Sequence, residues 1–208
     1  ISNDEMKSAE QDMKDAEQNM DDAQQDLAQQ KNSKASQSQK KASDNMKEAS
    51  KKLGEMKRSM EQEEEAEDLQ ALRQLLKNIL SLSVDEEKLV SQIKSVNTNN
   101  PKYVDMMKEQ QRIKENSEMV EDSLYALAKR VFQLQSFVTK EITDVNKYLG
   151  KSINDLEDRN TYKAAGNQQF VMTGYNNLAL MLSETQEQMQ QSKADSEPKD
   201  GKPKMCKN

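Results

Sequence analysis

MKSAEQDMKDAEQNMDDAQQDL, residues 6–27, sets Met or Leu at positions 6, 13, 20 and 27 and Ala at 9, 16 and 23, with nearly every other position charged or amide. The apolar residues recur every 3.5 residues on average, the spacing that holds one face of a helix against a partner helix along its length. Ala on alternate layers lets that partner come close. The seam lapses across KNSKASQSQKK, residues 31–41, and returns at Ala42, Met46, Ala49, Leu53, Met56 and Met60. Met6 and Met46 are 40 residues apart, five more than five heptads, so one straight helix would put the two seams out of phase. A reversal near Lys31 to Ser33 accounts for this more simply.

Charge supports the reversal. Residues 1–30 carry nine acidic and two basic side chains, net minus seven, whereas residues 31–58 carry nine basic and three acidic, net plus six. Folded back as an antiparallel hairpin, the two helices lie acid against base. Exposed pairs contribute only a few tenths of a kcal/mol each, so charge selects partner and orientation more than it supplies stability.

Beyond the arm, the acidic EQEEEAED leads into LQALRQLLKNILSL at 69–82, where Leu69, Leu72, Leu75, Leu76, Ile79, Leu80 and Leu82 cover more than one helix face. Such a helix is buried against at least two others. Ser83 and Glu86 stand in the S-x-x-E arrangement of a capping box, which predicts a new short helix with Leu89, Ile93 and Val96 inward. NTNNP at 97–101 ends it, and Pro101 suits the first turn of the next. From Lys102 an apolar stripe runs to about Leu156, as one helix or as two with a kink or break after Phe137 near Thr139, Thr143 and Gly150. Asn160 and Thr161 punctuate again. Tyr162, Ala165, Gln169, Met172, Asn176, Ala179 and Leu182 then form the expected core side of a last helix ending near Gln191. KADSEPKDGKPKMCKN, from Lys193, is predicted to be disordered, having two prolines and nothing to bury.

Composition narrows the chemistry. One third of the 208 residues are charged and one third apolar, which is lean for a compact globule and ordinary for long helices that each bury one stripe. All eight aromatics lie beyond residue 102, so the first hundred residues are held by Met, Ala, Leu and charge. There is no His, and Cys206 is the single Cys, so a protein zinc site, a Cys/His nucleophile pair and an internal disulfide are excluded. No stretch approaches the roughly 20 apolar residues of a membrane span. Ile1 enters helix-like sequence directly, as a fragment of a longer chain would.

Four patterns invite a functional reading. YLGKS, Tyr148 to Ser152, ends like a phosphate-binding loop, but the Gly required at 145 is Val145 and the stretch sits in a helical stripe, so Leu149 reads as core. Glu63, Glu64, Glu65 and Glu67 point in different directions around a helix and read as a solvated face rather than a cation site. Lys34, Lys40, Lys41, Lys47, Lys51 and Lys52 lack the Arg and aromatic companions of a nucleic-acid surface, and the chain has a pI near 5.0. Pairing with the acidic first helix is the simpler role, and no nucleic-acid partner is expected. Met6, Met13, Met20, Met46, Met56 and Met60 form either the hairpin's own contact, the favoured reading, or a flexible groove for a partner helix.

EDSLYALAKRVFQLQSFVTKEI at 121–142, NNLALMLSETQEQMQ at 176–190 and ASQSQKKASDNMKEASKKL at 35–53 resemble the helical region of large uncharacterised membrane-anchored coiled-coil proteins of Bacteroidota, a family of unknown function. The resemblance covers most of residues 1–192. It implies a piece of a longer chain with membrane segments upstream and this part in the periplasm or cell envelope. It carries no activity onto any residue, and the ATPase label given to such proteins finds no phosphate loop here.

The expectation is therefore an all-α chain: a long antiparallel helical hairpin, or coiled-coil arm, over 1–68, an up-and-down helical bundle over 69–192, and a tail over 193–208. Its expected role is a non-enzymatic structural and protein-interaction module, with no catalytic residue, cofactor or metal assigned. A holdase-like module that takes a partner helix on the Met seam is the alternative, and a homo-oligomer is compatible with either.

Overall fold

The computed structural model describes residues 3–196, and every regular element among them is helical. Helix α1 spans Asn3–Ala28, α2 Asn32–Ser95, α3 Lys102–Ala128, α4 Gln135–Glu157 and α5 Thr161–Ser196, with a 3-10 turn at Phe132–Leu134 before α4. The chain divides into two compact units between Ala66 and Glu67, so α2 gives residues 32–66 to the first and 67–95 to the second.

The first unit is an antiparallel hairpin. Its turn is a Schellman motif: the Lys31 N–H donates to the Asp26 carbonyl at 2.8 Å and the Gln30 N–H to the Leu27 carbonyl at 3.0 Å, with Gln30 left-handed at φ 56°. The reversal thus lies at Gln29–Lys31, two residues ahead of the expected position. Lys52 Nζ then crosses to Asp12 Oδ2 at 2.5 Å and donates to Ser8 Oγ at 2.9 Å, fixing the antiparallel register.

Alanine closes the two helices. Ala9, Ala16 and Ala23 of α1 and Ala35, Ala42 and Ala49 of α2 are all buried, one every seven residues, and Met56 continues the α2 row. The seam does not lapse over residues 31–41, because Ala35 is fully buried there. A methyl side chain loses no rotamer freedom on burial and favours helix, so a narrow Ala seam suits helices otherwise made of charged and amide residues.

The second unit is an up-and-down bundle of residues 67–95 of α2 with α3, α4 and α5. Antiparallel directions follow from paired side chains: the Tyr103 hydroxyl donates to the Leu156 carbonyl at 2.7 Å and Asn146 Nδ2 to Glu121 Oε2 at 2.7 Å across α3 and α4. Asn167 Nδ2 donates to Asp155 Oδ2 at 2.7 Å and Asn177 Nδ2 to Glu141 Oε2 at 3.1 Å across α4 and α5. Leu72, Ile79, Leu89, Ile113, Leu124, Leu149, Val171 and Leu182 are among the side chains that form one core.

Several local expectations change. The S-x-x-E at Ser83 starts no helix: α2 runs through it, Ser83 Oγ donates to Asn176 Oδ1 at 3.0 Å, and Glu86 turns inward to Gln110. No Pro lies between residue 1 and Pro101 to stop the helix, and both residues find tertiary partners instead of the backbone. The stripe from Lys102 breaks at residues 129–131, earlier than Phe137. Val131 is extended there, and the Arg130 guanidinium holds Asp68 at 2.7 Å while Val131 and Leu134 turn into the core. Leu80 is exposed rather than buried. In α5 Ala165, Ala179 and Leu182 of the expected stripe are buried and Met172 is half-buried, together with Ala164, Gln168, Val171, Tyr175 and Leu178, whereas Tyr162 and Gln169 are exposed and Asn176, also exposed, accepts the Ser83 hydrogen bond. Helix α5 continues past Gln191 to Ser196, which makes residues 193–196 helical, and the rest of the expected tail lies outside the described residues.

Candidate interaction surface

The hairpin has two unlike flanks. Three residues after each Ala in the rows 9, 16, 23 and 35, 42, 49 come Asp12, Asn19 and Asp26 on α1 and Ser38, Asn45 and Lys52 on α2, all half-buried and polar. The Asp12–Lys52 pair lies on this flank, with side chains 22% and 29% exposed. Four residues after five of the six Ala comes a large apolar side chain, Met13, Met20, Leu27, Met46 or Leu53, whereas Gln39 follows Ala35. In a right-handed helix that offset turns a side chain about 40° from the Ala row, and in an antiparallel pair the turned rows of both helices fall on one side.

That second flank is exposed. Met6, Met13, Met20 and Leu27 of α1 are 44%, 50%, 55% and 48% accessible, and Met46, Leu53 and Met60 of α2 are 59%, 46% and 42% accessible. Five of the six methionines expected to close the hairpin therefore lie beside its contact and not in it. Met56 alone of the six is buried, because it occupies the Ala row. The sequence-based list also lacked Leu27 and Leu53, whose seven-residue phase with the methionines was the signal that groups them.

The other motifs are absorbed by structure. Lys52 bridges Ser8 and Asp12, Lys47 pairs with Asp44 of its own helix at 3.8 Å, and Lys34, Lys40, Lys41 and Lys51 are exposed. Glu63, Glu64, Glu65 and Glu67 are exposed along α2. Leu149 of YLGKS is fully buried in α4, while Lys151 Nζ lies 5.4 Å from the centroid of the Tyr148 ring, which stacks on Phe170.

A buried polar chain crosses the bundle. Gln110 Nε2 of α3 donates to both carboxyl oxygens of Glu86 of α2, at 3.1 and 3.0 Å. Its own Oε1 accepts from Ser152 Oγ of α4 at 3.2 Å and from Gln168 Nε2 of α5 at 2.5 Å. All four side chains are fully buried. Burial pushes the Glu86 carboxyl up to about 8, against the opposing pull of the Gln110 amide, and burial likewise raises the Tyr175 hydroxyl. The network links all four helices of the bundle at one level, an arrangement that specifies helix register. The sequence reading missed it, since none of its members is apolar.

Among the described residues no helix is long and apolar enough to cross a membrane. Comparison with protein-family models, with curated proteins and with solved structures finds no match to the chain.

Proposed function

We propose that the chain is a non-enzymatic structural and protein-interaction module, and that its contact surface is the Met/Leu flank of the hairpin. The observation that supports this reading is the alignment of seven large, half-exposed apolar side chains in heptad phase on a hairpin that is already closed by alanine. Scattered exposed apolar residues are ordinary on a protein surface, whereas a contiguous row marks an interaction site. Unbranched, polarizable methionine adapts to the shape of whatever covers it. The resemblance to envelope-anchored coiled-coil proteins supports a place within a larger cell-envelope assembly. The net acidic charge argues against a nucleic-acid partner.

Photo-crosslinking residues placed singly at Met20 and Met46, with Lys14 and Lys47 on the outer surface as controls, test the reading in cells that make the full chain. Crosslinks confined to the first two positions are expected. Equal crosslinking at all four, or at none, refutes the assignment of the flank.

A further inference from the structure

We propose that the Met/Leu flank is covered by the same flank of a second copy of this chain, the two hairpins forming a four-helix bundle in which each α1 lies beside the other copy's α2. The proposal rests on the reading of that flank as an interaction surface and names its occupant. The Ala and Met/Leu rows together make a two-row heptad seam, interrupted on α2 only at Gln39, and the hairpin covers only the Ala row. A helix in a four-helix bundle has two neighbours and buries the wider stripe. Roughly half of each of seven Met or Leu side chains comes to roughly 600 Å² per copy and about 1,200 Å² for the pair, the lower edge of a specific interface.

The rows bordering the apolar flank select both the occupant and its orientation. On α1 the border is Glu10, Glu17 and Gln24, and on α2 it is Ser43, Ser50 and Lys57, all exposed. Two α1 helices side by side would bring the acidic borders of both copies, Glu10 and Glu17, onto one seam. An α1 beside the other copy's α2 instead meets small hydroxyls that donate to carboxylates and admit close approach, with Lys57 at one end. The net charges of minus seven over residues 1–30 and plus six over 31–58 favour the same arrangement. The flank is thus complementary to itself when the twofold axis runs along the bundle, the isologous contact of a closed dimer.

Sedimentation of the full chain from about 1 to about 200 μM is expected to show a reversible monomer–dimer equilibrium. Met13→Glu with Met46→Glu should weaken it at least about a hundredfold by placing unpaired charges in the interface. Helicity should not change, because both positions are exposed in the monomer. Orientation is read by a spin label at Asp4→Cys in a Cys206→Ser background. Level α1 ends give a distance within about 25 Å, whereas α1 beside α1 places the labels about 35 Å apart or more. The long distance, or dimerisation unaffected by the two Glu substitutions, overturns the proposal. A monomer across the whole range also overturns it. In that case crosslinks to another protein at Met20 and Met46 leave the flank as an interface, and their absence removes that reading as well.

Discussion

Glu86→Gln should raise the stability of the bundle above neutral pH and flatten its pH dependence. The Glu86 carboxyl is fully buried, bonded by Gln110 Nε2, and titrates at about 8 in the fold against 4.5 for a free side chain. The folded state therefore holds this proton more tightly than the unfolded chain. The stability that the proton supplies is complete below about 4.5 and is lost as pH rises to about 8, with a slope of about 1.4 kcal/mol per pH unit. Over the window the loss is on the order of 5 kcal/mol, an upper figure because water entering the site relieves part of the cost of the charge. That is comparable to the whole stability of many domains. Gln keeps an acceptor for Gln110 and has no charge to bury. All five tyrosines lie between Tyr103 and Tyr175, so tyrosine fluorescence during urea unfolding reports the bundle alone. From pH 5 to 9 the wild-type midpoint should fall steadily while that of Glu86→Gln stays nearly level, the two curves diverging most at pH 8 and above. Parallel curves would refute the reasoning.

Gly174→Ala should destabilise the bundle by about 1–3 kcal/mol, since a Cβ there overlaps Val145 Cγ2 and Val, branched at Cβ, has little freedom to move; a tyrosine-monitored midpoint equal to wild type contradicts it. Ala42→Leu should force the hairpin apart at a layer where Ala42 is only 2% exposed, at a cost of about 1–3 kcal/mol. Helical circular dichroism should then show an early loss on heating with no matching change in tyrosine signal, and a single unshifted transition contradicts the Ala-seam account.

The helical class, the hairpin and the bundle were legible because period and charge are properties of many residues at once. In the arm, two adjacent rows share the seven-residue repeat, and pattern alone favours the larger methionines as the contact. Packing reverses that choice, because alanine lets the helix axes approach and leaves methionine at the rim. At Ser83 and Glu86 a local capping pattern competed with an uninterrupted helix, and tertiary partners decided it. The break at residues 129–131 has no Gly or Pro to announce it, and the apolar stripe continues in phase on both sides. In α5, Ala165, Ala179 and Leu182 are buried as expected, but the core takes Gln168 where the stripe named its neighbour Gln169. Only the buried partner Gln110 tells the two glutamines apart. The favoured reading placed all six methionines in the hairpin contact, whereas Met56 alone lies in it and the other five line its rim.

The seven-residue repeat of the alanine rows also governs how this arm can change over evolutionary time. Removing seven residues from α1 together with seven from the facing part of α2 deletes one layer and leaves the remaining alanines, the turn at Gln29–Lys31 and both flanks in register. Removing seven from one helix alone slides every pairing on the side of its site away from the turn, and removing a number that is not a multiple of seven turns other residues into the seam. Homologous arms should therefore differ in length by matched heptads, lost or gained in both helices, so that reach can be tuned while the Met/Leu row is only lengthened or shortened.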